Sequence, residues 1–314
     1  MTLPHAGFKL ETGPQSASMQ ESESPKMSTT AENIATKIES ITELKRLANR
    51  LRIDIIKMIG TAGSGHPGGS LSEVELLTAL YFRVMRHNPK DPAWADRDRF
   101  ILSKGHGCPA LYAVMAEAGY IDKSAMNTLR KMGSPFQGHP DRRFFPAIEA
   151  NTGSLGQGLS IGAGMALAAK LDKKDWHTFV MIGDGEAQEG QNWEAAMFAP
   201  YHKIQGLTLI VDYNHIQLDG FVKDILDISP LAHKFESFGW RTLEIDGHDF
   251  NQVIPALETA RNSKDGKPTC IVANTVKGKG VSFMENTAKW HGVAPNPEQV
   301  KAAVAELEEA AKKL

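Results

Sequence analysis

The segment from His177 to Ala199, HTFVMIGDGEAQEGQNWEAAMFA, joins an apolar run to a helix-like run through an acid held between two glycines. The run Phe179–Ile182 has the length and composition of a strand buried on both faces. A helix is predicted to begin near Gln191. In an open parallel sheet, ligands bind beyond the carboxyl ends of the strands, which is where Asp184 lies.

The rest of the chain repeats this alternation of strand and helix, so we predict an α/β fold with a doubly wound, mainly parallel sheet flanked by helices. The other predicted strands are Phe100–Leu102, Leu207–Val211, Thr242–Ile245 and Thr269–Ala273. The first predicted helix begins at Ile41 and ends at a glycine-rich stop at 60–65. The other predicted helices are Ser72–Phe82, Leu111–Ala118, Leu155–Leu171, a helix that starts near Gln191, Val253–Ala260 and Pro297–Leu314.

The two ends of the chain differ in character. Residues 1–33 are rich in Ser, Glu, Gln and Pro without an apolar period, and they are predicted to form a disordered leader ahead of one domain over 34–314. The tail begins with Asn296-Pro297-Glu298-Gln299, which combines an N-cap, a proline at the first helical position and a capping box. This well-capped last helix indicates a finished end rather than a truncation.

The bulk composition excludes several classes of protein. With 314 residues and 41% hydrophobic content, the chain can bury a sizeable core. A net charge of −2 gives no strong attraction to nucleic acid or membranes, so neither is expected as a partner. The two cysteines, Cys108 and Cys270, lie among apolar neighbours, and no signal peptide is evident. A cytoplasmic location is expected.

The acid at the strand end points to a metal bound to a diphosphate. Gly183 and Gly185 let a ligand approach the main chain, and the following helix N-terminus favours anions. Asp184 alone would repel a phosphate, but a bridging Mg²⁺ removes that repulsion. Asn214 follows 30 residues later, at the predicted end of the next strand. The pair then supplies two side-chain ligands at adjacent strand ends.

Each motif also has a simpler interpretation. Gly-Asp-Gly alone is usually a surface turn, and an isolated asparagine usually caps a loop. The sequence Gly105-His106-Gly107 followed by Ala110 fits a nicotinamide-binding pattern only weakly, because no acid ends a clear second strand about 20 residues on. Lys277-Gly278-Lys279-Gly280 is interpreted as a solvated loop, although its lysines can neutralise a phosphate.

The ordered motifs resemble those of thiamine-diphosphate enzymes and, more closely, the transketolase family. The likeness runs from about Ile41 to Gly292. It is carried by AGSGHPGGSLS, FILSKGHGCPALYA, FQGHP, NTGSLGQGLSIGAGMA, GDGEAQEGQNWEAAMFA, VDYNHIQLDG and KWHG. The resemblance implies that 34–314 is the diphosphate-binding domain of the thiamine-diphosphate-binding fold.

The resemblance also implies roles for matching residues. Asp184, Asn214 and the main-chain carbonyl of Ile216 would hold Mg²⁺, with Ca²⁺ or Mn²⁺ as alternatives, and Gly185 would contact the diphosphate. The remaining implied cofactor contacts are Gly153, Leu155, Gly183, Glu189 and His291. Glu189 matches a carboxylate that links two cofactor sites across a dimer interface.

Four histidines match the catalytic set of this family. His66 and His291 would contact substrate oxygens, His106 would lie beside the diphosphate, and His139 would hold the terminal hydroxyl of the donor sugar. Imidazole suits proton transfer at sugar hydroxyls near neutral pH. Taken singly, each is more often a core or capping histidine, but His66, His106 and His139 each follow a glycine.

The family's full-length members carry a second, pyrimidine-binding domain, which also holds the sugar phosphate, and a third, C-terminal domain. The resemblance therefore implies that this chain is the N-terminal subunit of a split transketolase that transfers a two-carbon ketol unit from a ketose phosphate to an aldose phosphate. A C-terminal subunit would complete an α2β2 assembly. The predicted docking surface lies around Glu189, Trp193, Ala196 and Met197.

Two alternatives remain open at this point. The chain could belong to another thiamine-diphosphate enzyme, as a 2-oxo acid dehydrogenase E1 subunit or a deoxyxylulose-phosphate synthase-like half. It could also be a non-catalytic module that binds the cofactor or a partner without turnover. The paired loops SGHPGG and SKGHG favour transketolase over the first alternative, and the intact acid, amide and histidine set disfavours the second.

Overall fold

A sheet of five parallel strands organises the chain, as shown by a computed structural model that describes residues 37–314. The predicted leader, residues 1–33, lies outside the described residues. The strand order is β1-β2-β3-β5-β4. The strands are β1 (Arg99–Leu102), β2 (Thr178–Gly183), β3 (Leu207–Tyr213), β4 (Arg241–Asp246) and β5 (Thr269–Asn274). The predicted α/β fold is confirmed, and each predicted strand is present.

Side chains of the central strands alternate between two cores. In β2, Phe179 and Met181 pack into one core, while Val180 and Ile182 pack into the other. This alternation follows from the two-residue period of a strand. Because both faces are covered, the strand is apolar throughout, which is why its sequence shows a continuous apolar run rather than an alternating one.

Helices cover both faces of the sheet. The first core receives α1 (Ile41–Ala62), α2 (Pro67–Ser72), α3 (Val74–Ala79), α4 (Cys108–Glu117), α9 (Phe250–Asn262) and α10 (Pro297–Ala311). The second core receives α5 (Gln157–Leu171), α6 (Gly190–Tyr201), the short α7 (Val222–Ile225) and α8 (Leu231–Ser237). The sheet is therefore the middle layer of three, as predicted for a doubly wound fold.

Two predicted helices differ in detail from those observed. The segment predicted as one helix over Ser72–Phe82 is broken at Glu73 (φ −94°, ψ 3°), and it ends in a π-helical turn at Leu80–Val84. The helix predicted from Leu155 begins at Gln157, because Gly156 adopts a left-handed conformation (φ 83°) that ends the preceding loop.

Two predicted signals at helix ends are confirmed. Gly63 closes α1 in a left-handed conformation (φ 63°), with its N–H donating to the carbonyls of Ile59 and Gly60. Asn296 and Gln299 form the predicted capping box at the start of α10. Among residues 37–314, no helix has both the length and the apolar character needed to cross a membrane.

Candidate active site

A cavity of about 430 Å³ opens at the carboxyl ends of β2 and β3. Every residue that sequence analysis proposed for the site lines this cavity. They are His66, His106, His139, Gly153, Leu155, Gly183, Asp184, Gly185, Glu189, Asn214, Ile216 and His291. These residues come from seven separate loops, so the fold rather than the local sequence brings them together.

The register of two neighbouring strands sets the acid and the amide side by side. Gly183 of β2 pairs with Asp212 of β3, so that Asp184 and Asn214 follow adjacent strand ends. Asp184 Oδ1 accepts a hydrogen bond from the Gly185 N–H at 2.7 Å, and Asp184 Oδ2 accepts one from the His215 N–H. Burial raises the pKa of Asp184, and the neighbouring charge of Asp212 adds to the rise. A cation beside Asp184 would offset that cost.

Three oxygen donors meet the requirements of a divalent cation. They are the carboxylate of Asp184, the side-chain oxygen of Asn214 and the main-chain carbonyl of Ile216, and all three residues line the cavity. Mg²⁺ prefers oxygen ligands and is held in proteins by one or two carboxylates together with substrate phosphates. By its chemistry the donor set fits a hard cation that bridges the chain to a phosphate group, and such a cation would share the Ile216 carbonyl with the ammonium of Lys277, which donates to it.

The prediction of a solvated loop at Lys277 is wrong. The side chain is only 2% exposed, and its Nζ donates to the Ile216 carbonyl at 2.7 Å and lies 2.8 Å from His291 Nδ1. Gly278 turns the chain in a left-handed conformation, and a Cβ there would overlap the Met284 carbonyl oxygen. The segment is therefore a tight turn next to Lys277, whose side chain lines the cavity.

A second lysine forms part of the cavity floor. The Nζ of Lys104 lies 2.5 Å from Asp212 Oδ2 and 2.9 Å from Glu73 Oε2, and it donates to the Gly69 carbonyl at 2.9 Å. All three charged groups are buried. Sequence analysis did not identify this cluster, because its members come from three distant segments and only SKGHG offered a signal.

The side chain of Glu186 is another site residue that sequence analysis missed. Its carboxylate accepts hydrogen bonds from the Gly156 N–H at 2.9 Å and the Gly183 N–H at 3.2 Å, and also from the hydroxyl of Ser103. It thereby joins the loop carrying Gly153 and Leu155 to the end of β2. Its place directly after Gly-Asp-Gly was the available signal.

Three histidine rings form a cluster on one side of the cavity. The ring centroids of His66 and His106 are 5.2 Å apart, those of His66 and His291 are 5.6 Å apart, and those of His106 and His291 are 5.2 Å apart. His139 approaches the opposite loop, where a Cβ on Gly153 would lie 3.0 Å from its Cγ. The glycine at 153, with φ 137°, leaves room for this ring.

Burial keeps these histidines neutral at pH 7. Burial and then the charge of Arg130 lower the pKa of His66 to about 4, and burial and then Lys277 lower the pKa of His291 to about 3. The pKa of His106 falls well below its usual value through burial and Lys104, and that of His139 falls through burial and Arg130. Neutral imidazoles can both accept and donate hydrogen bonds to hydroxyl groups.

The predicted docking surface on α6 is only partly exposed. Ala196 is fully buried, which corrects the prediction for this residue, whereas Trp193 is half-buried and packs against Phe235 with ring centroids 5.2 Å apart. Met197 is 52% exposed and Tyr201, one turn later, is 82% exposed. Because α6 turns every 3.6 residues, the exposed apolar stripe runs through Met197 and Tyr201.

Comparison with known proteins agrees with this geometry. The sequence pattern of the family described as "Transketolase, thiamine diphosphate binding domain" matches residues 43–311. The chain is 46% identical over 266 residues to the 6-deoxy-6-sulfo-D-fructose transketolase subunit SqwG of Clostridium sp. (strain MSTE9), covering 85% of this chain and 96% of that protein. It is 42% identical over 271 residues to one of the apulose-4-phosphate transketolase subunits of Actinobacillus succinogenes, covering 86% of this chain and 98% of that one.

A solved structure of a longer relative shows the same fold. The crystal structure of transketolase from Campylobacter jejuni superposes with a TM-score of 0.81 at 33% identity. The match covers 87% of this chain but only 45% of that one. The chain therefore corresponds to part of a one-chain transketolase and to nearly the whole of one subunit from a two-chain form.

Fold and cavity together define a thiamine-diphosphate-binding α/β domain. The chain belongs to the transketolase family. Its likeness to transketolase subunits over nearly their whole length supports a transketolase subunit over the 2-oxo acid dehydrogenase, synthase-like and non-catalytic alternatives.

Proposed function

We propose that this chain is the N-terminal subunit of a two-chain transketolase. The enzyme would transfer a two-carbon ketol unit from a ketose phosphate to an aldose phosphate. The observation that carries the proposal is the cavity at the ends of β2 and β3, which is lined by an acid, an amide, lysines and histidines. The chain also covers nearly the whole of two relatives that are named transketolase subunits. The two subunit relatives are named for a sulfonated ketose and a sugar phosphate, and both are anionic sugars.

Within this proposal, the chain holds the charged end of the cofactor. Asp184, Asn214 and the carbonyl of Ile216 would bind Mg²⁺, with Ca²⁺ or Mn²⁺ as alternatives, and the cation would bind the diphosphate of thiamine diphosphate. Gly183 and Gly185 would permit close contact with the main chain. Lys277 and Lys104 would add positive charge beside the diphosphate. The other side of the cavity, which would face the rings of the cofactor, is lined by Gly153, Leu155 and Glu189.

The histidines would serve the sugar. When bound, thiamine diphosphate supplies the electron sink that lets a carbon–carbon bond next to a ketose carbonyl break. The neutral rings of His66 and His291 would hold and move protons at the substrate oxygens, with His106 beside the diphosphate. His139 would hold the terminal hydroxyl of the donor. Their lowered pKa values keep each ring neutral at pH 7, with one protonated nitrogen that can donate to a substrate oxygen.

A second chain would complete the enzyme. We infer a C-terminal partner subunit that binds the aminopyrimidine ring and the sugar phosphate, in an α2β2 assembly with the two-fold symmetry common among oligomers. The names of the relatives, which call them subunits, support a partner. We also propose a cytoplasmic location, which is supported by the two buried, free thiols Cys108 and Cys270.

The metal-dependent cofactor site can be tested with Asp184→Ala. Titration calorimetry of thiamine diphosphate into the assembled enzyme, with and without Mg²⁺, should show that the variant loses the Mg²⁺-dependent part of the affinity. Removing the carboxylate deletes the one charged ligand of the cation. The matched control is Asp224→Ala, at an exposed acid on α7 outside the cavity. Unchanged Mg²⁺-dependent affinity in Asp184→Ala would refute the site.

A further inference from the structure

Arg130 lies in an exposed turn beside the cavity, yet its guanidinium reaches into the loop that carries His66. Its Nη1 donates to Ser64 Oγ at 3.0 Å, and its Nη2 lies 3.3 Å from His66 Nδ1. The backbone at Arg130 is left-handed (φ 58°) and is fixed by its N–H, which donates to the Phe136 carbonyl at 2.8 Å. An arginine in this uncommon conformation is held there by the surrounding structure.

The second histidine loop leaves space for the same guanidinium. A Cβ on Gly138 would lie 2.8 Å from Arg130 Nε and 2.9 Å from Arg130 Cζ. The backbone of Gly138 is not left-handed, so it does not require glycine on conformational grounds. A side chain at 138 would therefore have to displace the guanidinium of Arg130. Arg130 thus connects the loops that carry His66 and His139.

The hydrogen bond between Arg130 and His66 fixes where the imidazole proton lies. A guanidinium has donors only, so His66 Nδ1 must be the acceptor and cannot carry a proton. The neutral ring then carries its proton on Nε2. That nitrogen lies near Gly292, where a Cβ would be 3.6 Å away, on the side of the ring that faces the histidine cluster.

We propose that Arg130 is a positioning residue that sets the tautomer and orientation of His66, so that an Nε2–H donor is presented to the sugar. The role assigned to this donor rests on the proposed function, whereas the tautomer is a property of the chain itself. Arg130 contributes its charge to both loops, since it is among the causes that lower the pKa values of His66 and His139 after burial. Sequence analysis gave no sign of it, because Arg130 belongs to none of the recognised motifs.

The tautomer can be measured without any turnover. In ¹⁵N-histidine-labelled full-length chain, His66, assigned by its loss in His66→Gln, should show an unprotonated Nδ1 and a protonated Nε2 at pH 7. Arg130→Met should convert this signal into a mixture of tautomers, because the fixed donor is gone, while exposed Arg142→Met should leave it unchanged. An unchanged His66 signal in Arg130→Met would overturn the proposal.

A paired substitution separates positioning from general damage to the fold. In the two-subunit enzyme, Arg130→Met should lower kcat/KM for the donor ketose about 10- to 100-fold, as expected for losing a hydrogen bond from a charged group, with Arg130→Lys retaining part of the activity. Gly138→Ala alone should also lower kcat/KM, since its Cβ displaces the guanidinium. In the Arg130→Met background, Gly138→Ala should cost little more.

Additive losses in the double variant would contradict the proposed route through Arg130. Absence of transketolase activity in the wild-type complex would instead contradict the proposed function. In that case the tautomer measurement would still decide the role of Arg130.

Discussion

A lysine that is buried beside a carbonyl oxygen and a histidine loses its hydration, and neutral partners compensate little of that free-energy cost. Lys277 is in this position, and burial lowers its pKa even though the charge of Asp184 favours the ammonium form. A diphosphate in the cavity would provide the missing negative charge. At the scale of single residues, the arrangement of Lys277 therefore indicates a site built to receive an anion.

Replacing Lys277 tests this anion-binding role. Lys277→Met keeps the length of the side chain and removes the charge, so the affinity of the assembled enzyme for thiamine diphosphate should fall at least about tenfold, the loss expected for one charge-assisted hydrogen bond. Binding of thiamine, which has no phosphate, should change little. Lys279→Met in the same loop is the control, because Lys279 is half-exposed and lies 3.8 Å from Glu285. Equal losses in both variants, measured by calorimetry, would disprove the role of Lys277.

A buried histidine away from the site makes stability depend on pH. His177 is fully buried, its Nε2 lies 2.7 Å from Thr208 Oγ1, and burial and then the charge of Arg261 lower its pKa from 6.5 to about 3. Between these two values the unfolded chain binds more protons than the folded chain. The contribution of His177 to stability is therefore complete above pH 6.5 and is lost as the pH falls below it.

This pH dependence can be measured by denaturant unfolding at pH 7.0 and 5.5. In His177→Gln, the decrease in the free energy of unfolding between these pH values should be smaller than in wild type, by up to about 1.4 kcal/mol per pH unit below pH 6.5. His233→Gln, at an exposed histidine on α8, should keep the wild-type decrease. A His177→Gln slope equal to wild type would show that this residue does not cause the effect.

At the scale of elements, sequence analysis recovered the parts whose signals are local. A few neighbouring residues encode each of these features: the ends of β2 and β3 near Gly183 and Asn214, the glycine stop of α1 and the capping box of α10. The break at Glu73 was not predicted, and the contact of its carboxylate with Lys104 Nζ, 2.9 Å away, joins residues that are far apart in the sequence. The burial of Lys277 and Ala196 was missed because it depends on residues that are distant in sequence and pack against them in the fold.

The exposed stripe on α6 gives an element-scale prediction. Met197 and Tyr201 are apolar or aromatic, exposed, and on the helix that begins beside Glu189. If the partner docks there, Met197→Glu with Tyr201→Glu should weaken its association at least about tenfold, because a charge would be buried without a counter-charge. Sedimentation with the partner measures this.

The control for α6 is Ala310→Glu on α10, a helix that packs on α1 rather than on α5. Unfolding midpoints should stay near wild type in both variants, since all three positions are exposed. Wild-type association in the α6 double variant would place the interface elsewhere.

For the whole molecule, we propose that the chain provides one side of a site completed by a partner. It brings together the groups proposed to bind the diphosphate and the four histidines, and it covers 45% of the transketolase chain from Campylobacter jejuni. It covers 96% and 98% of two relatives that are named transketolase subunits. The family's residue patterns predicted these cavity-lining residues from sequence, whereas the proposal of a two-chain enzyme is supported by the names of these relatives.

A turnover assay with separated subunits tests whether this chain catalyses ketol transfer only together with a C-terminal partner. Ketol transfer from a ketose phosphate to an aldose phosphate would be followed with Mg²⁺ and thiamine diphosphate present, using the chain alone, the C-terminal partner alone and both together. We expect turnover only in the mixture, with a maximum at equal amounts of the two chains. A mixture that contains Asp184→Ala in place of the wild-type chain should show none. Full activity from this chain alone, or a mixture that only decarboxylates a 2-oxo acid, would contradict this expectation.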